Sequence, residues 1–273
     1  MRIETDLFQF AWFGNKTTSF DDYIQELSEK ALPEYWGKNN KILKNYLSFT
    51  FKYLARAHNA SDTLNEDIKY FSISNDNKAI CFNTGLYSEY YAPIYAFFRI
   101  NQVKTENSPK WFFIGFKEPS DIELNSFSHL PLRMKYVDDT SDLVFDSRLE
   151  VRMNLPHILS DERNVERLPE DWRGLSKIQK VQRLEGAVNI AKKKVEANYT
   201  LAVPQYYKNS LQLLLPISLQ DENKVDLALA ISKENGIYSG RTCLTYDMAY
   251  NNARLIARPD SSWLKPEKID NEG

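Results

Sequence analysis

Apolar positions recur at three- and four-residue steps near the start of the chain. Tyr23, Ile24, Leu27 and Ala31 share one face of a helix that opens at Phe20, with Ser19 placed to cap it. Pro33 interrupts the pattern, and Ile42 to Ala57 reads as a second helix, which makes 19–58 a helical region. Between Ile68 and Val137 the period shortens. The runs IKYFSI, KAICFN, PIYAFFRI, KWFFIGF and RMKYV are aromatic and β-branched, and polar clusters such as SNDN and KTENSP separate them. They predict strands joined by tight turns and therefore antiparallel neighbours. APIYAFFRI is apolar without alternation, as expected of a central strand covered on both faces.

Two shorter strands are expected near Leu143 and Val151, followed by a polar loop from Pro156 to Gly174. A long helix comes next, because Ile178, Val181, Leu184, Val188, Ala191 and Val195 line one face while Lys180, Arg183, Lys193 and Lys194 lie off it or at its edge. SLQLLLPISL and KVDLALAIS return to strand lettering, and a turn at NGIYSG leads into LTYDMAYNNARLIARPDSSWL. Strands before and after a long helix, with helices at both ends, predict an α+β fold: a single domain over 1–273 with a largely antiparallel or mixed central sheet flanked by helices. Its sheet-containing body spans about 68–258, followed by a short C-terminal tail. The sequence shows no internal repeat.

The last helix carries an unusual polar pattern. At about 100° per residue, Asp247, Asn251, Arg254 and Arg258 form one line on a rod whose other faces are mostly Leu, Met, Ala, Ile and Tyr. Thr245 stands where an N-cap is needed. Such a line is either a solvated face held by an ion pair or one wall of a cleft. In the cleft reading, Arg254 and Arg258 grip phosphate with their planar forks, Asn251 orients the ligand and Asp247 is a candidate acid–base group. Asn252 falls off the line and is the natural control.

Composition narrows the function. The chain has 273 residues with 35 basic and 37 acidic side chains, a net charge of −2, so no global field draws it to nucleic acid or to an anionic membrane. Contact with nucleic acid has to be local. Aromatic residues reach 13%, so rings are available both for the core and for stacking. Cys81 and Cys243 are far apart and lack metal-ligand spacing; they read as reduced core residues of a cytoplasmic protein without a zinc site or disulfide framework. No signal-peptide pattern or membrane-length apolar run is legible, so no membrane partner is expected.

Four further places carry chemistry. LPHILSDERNVER sets His157 among Asp161, Glu162, Arg163, Glu166 and Arg167, and a histidine titrating near neutrality can exchange protons with a phosphoester or ribose hydroxyl. CFNTGL places Asn83, Thr84 and Gly85 at the end of a strand, where an amide and backbone N–H groups can meet a ligand. NYTLAVPQYY puts Tyr199, Gln205, Tyr206 and Tyr207 directly after the basic helix, an arrangement able to stack bases beside Lys192, Lys193 and Lys194. VDDTSDLVFD contains Asp138, Asp139, Asp142 and Asp146, but its DDxxD lettering falls in a turn and reads as a solvated tip rather than a metal site.

In order along the chain, ALPEYWG, ILKNYL, FNTGL, FFRIN, LPHIL, ERLP, VPQYY, LQLLLP and YSGRTCLTYDMAYNNARLIARPDSSWL resemble an uncharacterised bacterial domain family of unknown function. Its members resemble companions of LOTUS-type winged helices (OST-HTH) and cold-shock modules. The resemblance implies RNA metabolism and an RNA-associated protein partner, with no reaction, cofactor or oligomeric state attached. The resulting expectation is an RNA- or nucleotide-directed protein, acting on a phosphate-bearing ligand in a cleft, with His157 and Asp247 as the acid–base candidates and Asn83, Thr84, Gln205, Asn251, Arg254 and Arg258 as the binding set. The alternative is a non-catalytic RNA-binding or regulatory module.

Overall fold

The computed structural model describes residues 1–15, 17–64, 69–103, 105, 108–172 and 174–271. Ile68, at the head of the first expected strand, and Lys104, Glu106 and Asn107 of the KTENSP turn lie outside the described residues. The chain is α+β and divides into two compact units, Met1–Lys135 and Tyr136–Gly273, each built on a five-stranded sheet.

In the first unit, a short helix α1 (Leu7–Phe10) runs into β1 (Ala11–Trp12), followed by α2 (Phe20–Lys30) and α3 (Lys41–Leu64). Four strands then follow: β2 (Phe71–Ile73), β3 (Ala79–Tyr87), β4 (Pro93–Ile100) and β5 (Trp111–Lys117). Ser19 caps α2 as its sequence position predicts, in a reciprocal box with Asp22 that satisfies two otherwise unpaired backbone donors. The sheet order is β1-β5-β4-β3-β2, so the fully apolar β4 sits in the middle. β2 to β5 form an antiparallel meander, and β5 pairs parallel with β1. Phenylalanine fills the core. Phe98 stacks on Phe82 at 5.8 Å and meets Phe113, Phe10 and Phe13 at 5.1, 5.3 and 6.0 Å.

The second unit repeats the plan with other side chains. β6 (Val151–Met153) is followed by α4 (Leu155–Ser160), α5 (Glu162–Val165) and α6 (Lys177–Ala197). Next come β7 (Val203–Tyr207), β8 (Ser210–Ile217), β9 (Leu227–Glu234) and β10 (Ile237–Leu244), and α7 (Tyr246–Arg254) closes the unit. The order β6-β10-β9-β8-β7 is again a four-stranded meander whose last strand pairs parallel with the first. Leu184, Val188, Ala191 and Val195 of α6 are buried in a mostly aliphatic core with Leu213, Leu215, Ile217, Leu229 and Ile231. No helix of the described residues is long and apolar enough to cross a membrane.

Several local expectations change. RMKYV is not a strand, and residues near Leu143 form a short 3-10 helix, Thr140–Leu143, so the aspartates do not tip a hairpin. The segment read as a loop before Gly174 contains α4 and α5, each capped by its own polar residue, Asn154 and Asp161. NGIYSG is the turn and first half of β10, and VPQYY is a strand; both contain tyrosines and turn residues that a single-sequence pattern reads ambiguously. α7 ends at Arg254, short of Arg258. Pro259 is consistent with Arg258 lying outside the helix, because the residue before a proline is driven out of the helical region.

Candidate functional site

α4 and α5 form a helical corner within the second unit's crossover, at the side where β7, β10 and α7 also end. Here His157, Arg163, Arg167, Lys208, Thr242 and Asn252 line a cleft of about 140 Å³. The only carboxylate on its wall is Asp161. That volume admits a phosphoryl-sized group while the remainder of a larger ligand stays outside.

Local sequence explains each placement. The Asn154 side chain accepts the His157 backbone N–H at 3.2 Å, which sets the first turn of α4, and Pro156 fits that turn because it has no N–H to satisfy. Asp161 then caps α5 by accepting the Arg163 backbone N–H at 3.1 Å. Its second oxygen lies 3.7 Å from His157 Nδ1, an ion-pair distance when the imidazole is protonated. Arg163 Nε stands 3.5 Å from the first oxygen. Desolvation pushes the Asp161 carboxyl upward, but Arg163 and His157 together outweigh it and hold the group below the usual carboxylate range.

Asn164 organises the corner. It is buried at 2% exposure, donates to the His157 carbonyl at 3.0 Å and accepts from Thr242 Oγ1 at 3.1 Å and Arg167 Nη1 at 3.2 Å. The same Arg167 nitrogen donates to the Cys243 carbonyl at 2.9 Å. Both bonds use Nη1, which ties the guanidinium to the corner while Arg167 lines the cleft. A register shift between Gly240 and Thr242 re-aims β10 at this point, a common use of a bulge beside a site. Lys208 enters from the β7–β8 turn, where Lys208 and Asn209 adopt φ of 50° and 61° and Tyr207 faces Ser210, the geometry of a two-residue primed hairpin. Its ammonium lies 5.4 Å from the centre of the Tyr207 ring, which also lines the cleft.

The structure brings together only part of the set expected from sequence. His157 is in the cleft. Gln205 reaches it indirectly: its Oε1 accepts from Asn252 at 3.1 Å, and its Nε2 begins a chain to Gln212 at 2.7 Å and from there to Ser232 at 3.0 Å. α7 presents Met248 and Asn252 to the cleft, and the Asp247 line lies about 100° around the helix. Asn251 folds back to donate to the Asp247 carbonyl at 2.8 Å and carboxylate at 3.1 Å, while Arg254 is buried. Arg258, beyond the helix, is exposed and borders a different, mainly apolar cleft of about 290 Å³ with Tyr199, Pro204 and Ser261. Asn83 and Thr84 belong to the first unit and lie inside β3, not after it. Asn83 Oδ1 accepts from Gly85 N at 2.9 Å, and Thr84 Oγ1 donates to the Ile94 carbonyl at 2.7 Å. Gly85 sits there at φ +79°, with space for a Cβ filled by the Tyr46 hydroxyl 2.6 Å away.

Sequence reasoning missed Asn164, Thr242 and Lys208 and treated Asn252 as a control. The charged lettering around His157 and the tyrosine pair ending at Tyr207 pointed toward the corner. Asp139 accepts the Ser141 N–H, Asp142 pairs with Lys233 and Asp146 pairs with Arg148.

The sequence model of one family, described as "Domain of unknown function (DUF3825)", matches residues 27–263, and the chain belongs to that family. No curated protein and no solved structure gives a match.

Proposed function

Since the description of the family assigns no activity, we propose a function from the cleft itself: an RNA- or nucleotide-directed protein that holds a phosphate between Arg167, Arg163 and Lys208. The observation that carries this reading is the convergence of three cations and His157 on one small cavity with a single carboxylate, in a chain whose net charge is −2. An Arg fork anchored at one nitrogen supplies directional hydrogen bonds, and a lysine ammonium supplies a point charge. Tyr207, 43% exposed, offers a ring beside the phosphate position on which a base can stack.

His157 makes the site capable of proton transfer to a phosphoester or ribose oxygen, with the Asp161 carboxylate 3.7 Å from its Nδ1. A binding-only role is the second reading, and it is favoured by the use of Asp161 as a helix cap and partner of Arg163. An RNA-associated protein partner and a cytoplasmic location fit either role.

Titration calorimetry with inorganic phosphate, 5′-AMP and a hexameric RNA, together with a turnover assay on the RNA, tests the proposal. Arg167→Ala is expected to weaken phosphate binding by roughly ten- to a hundredfold, the range for one charge-assisted contact. Unchanged binding in both Arg167→Ala and Lys208→Ala overturns it. Turnover abolished by His157→Gln with binding intact establishes the enzyme reading; binding without turnover establishes the module.

A further inference from the structure

The first unit contains a second cleft, of about 610 Å³, between the N-terminal segment and the start of β5. Two large rings on its wall face solvent: Phe8 is 51% exposed and Trp12 is 56% exposed. Single exposed apolar residues are ordinary. These two differ because they are held in place. Asp6 caps α1 through the Phe8 and Gln9 backbone N–H groups, and the Phe8 ring meets Phe13 and Phe20 edge-on at 5.6 and 5.0 Å. The Trp12 indole N–H donates to the Gly14 carbonyl at 3.1 Å, so its orientation is fixed and its polar atom is satisfied while its face remains open. Alternation along β1 turns Ala11 inward and Trp12 outward, and pairing with Phe112 anchors the strand.

The rim of the cleft is equally ordered and is basic. Ile3 is clamped to α3 by a reciprocal pair of 2.8 Å hydrogen bonds with Asn59, which fixes the chain that carries Arg2. Arg2 and Lys110 are exposed at the cleft, where the opposing carboxylate is Glu4. The Lys110 ammonium lies 5.0 Å from the Trp111 ring centre, a cation–π contact that holds it near the opening. Preformed open rings beside cations, in a cavity within the roughly 300–1,000 Å³ typical of ligand sites, match a planar aromatic ligand that carries an anion.

We propose that this cleft is a base-stacking site for a nucleotide, with the base on Trp12 and Phe8 and the phosphate on Lys110 and Arg2. Its residues all belong to the first unit, so it stands or falls separately from the His157 cleft. Met1–Trp12 also lies outside the stretch matched by the family, residues 27–263.

Tryptophan fluorescence tests the proposal directly, because Trp36, Trp111, Trp172 and Trp263 are all 5% exposed or less and acrylamide therefore reports Trp12. On the full chain, 5′-AMP is expected to protect this emission from acrylamide, and adenosine to do so more weakly for lack of the phosphate. Tighter protection by hexameric oligoadenylate identifies a single strand as the ligand; equal or weaker protection identifies the free nucleotide. In an Arg167→Ala background, which removes the contribution of the other cleft, Trp12→Ala should weaken 5′-AMP binding, measured by calorimetry, roughly tenfold, while Trp12→Phe stays within about threefold. Lys110→Gln should weaken 5′-AMP but not adenosine. The protection should survive Arg167→Ala. Emission unaltered by any of the three ligands, or equal affinity in Trp12→Ala, overturns the proposal. So does self-association abolished by Trp12→Ala without any nucleotide effect, since that makes the rings a contact between copies.

Discussion

The two units share one strand plan and almost none of its chemistry. In both, a short first strand leads through helices to a four-stranded meander whose last strand returns to pair parallel with the first. The first unit fills the space under its sheet with phenylalanine, and the second with leucine, isoleucine and valine. The crossovers differ as well. Between β1 and β2 the chain forms α2 and the long α3, whereas between β6 and β7 two short helices, α4 and α5, precede the long α6. The cationic cleft lies where the second unit departs from the first, at the corner that α4 and α5 make where the first unit has the single helix α2. A sheet plan constrains hydrogen bonding and pleat; it leaves the site to the segments hung on it.

The largest test of this comparison is in the cores. Phe98→Ala is expected to cost about 3–5 kcal/mol in chemical denaturation. The sharper version uses methionine. Leu229→Met should cost less than about 1.5 kcal/mol, as volume-conserving aliphatic swaps do. Phe98→Met should cost more, because it loses four ring neighbours, Phe10, Phe13, Phe82 and Phe113, each pair worth about 0.5–1.5 kcal/mol. Equal, mild effects would show that ring geometry does not hold the first unit. Next in size, Gly85→Ala forces φ +79° on a residue whose Cβ meets the Tyr46 hydroxyl, at an expected cost of about 1–3 kcal/mol. Adding Tyr46→Phe should recover part of it, a coupling that a double-mutant cycle measures.

In the second unit Asn164→Ala removes a buried side chain bonded to His157, Thr242 and Arg167. A loss of about 1–3 kcal/mol is expected, with weaker phosphate binding as Arg167 loses its stay. Stability that falls while phosphate binding is unchanged would separate the corner from the site. The smallest effect is acid dependence. The Arg148 side chain beside Asp146 holds that carboxyl down at about 2, below its ordinary 3.8. A depressed carboxyl stabilises the fold above its unfolded value, and this contribution is lost as pH falls from about 3.8 toward about 2. Melting curves across that window should show the loss, and Arg148→Ala should flatten it.

Much of the fold was legible because it depends on local periodicity. α2, α3 and α6 follow their apolar faces, and the central place of β4 follows from an apolar run without alternation. β7 and β10 were not legible as strands, since VPQYY and IYSGRTCL mix tyrosine, proline, glycine and charge. Of the cleft, His157 and its charged neighbours of both signs stood out by their charge density. Asn164 and Thr242 did not, because an amide and a hydroxyl look alike in a sequence whether they face water or bond to each other across 78 residues.

What the sequence determined by itself was the set of elements that carry their own signal: the capped helices, the apolar strands and the polar line Asp247, Asn251, Arg254. The line is real on α7, but Asn251 bonds back to Asp247 within it and Arg254 is buried. Tertiary structure alone decided that Asn252, off the line, faces the cations, and that Arg258 leaves the helix ahead of Pro259. A helical wheel gives the angle between side chains on one rod. Which face meets a cleft depends on what packs around the rod, and two of those neighbours, Arg167 and Lys208, come from segments far away in the chain.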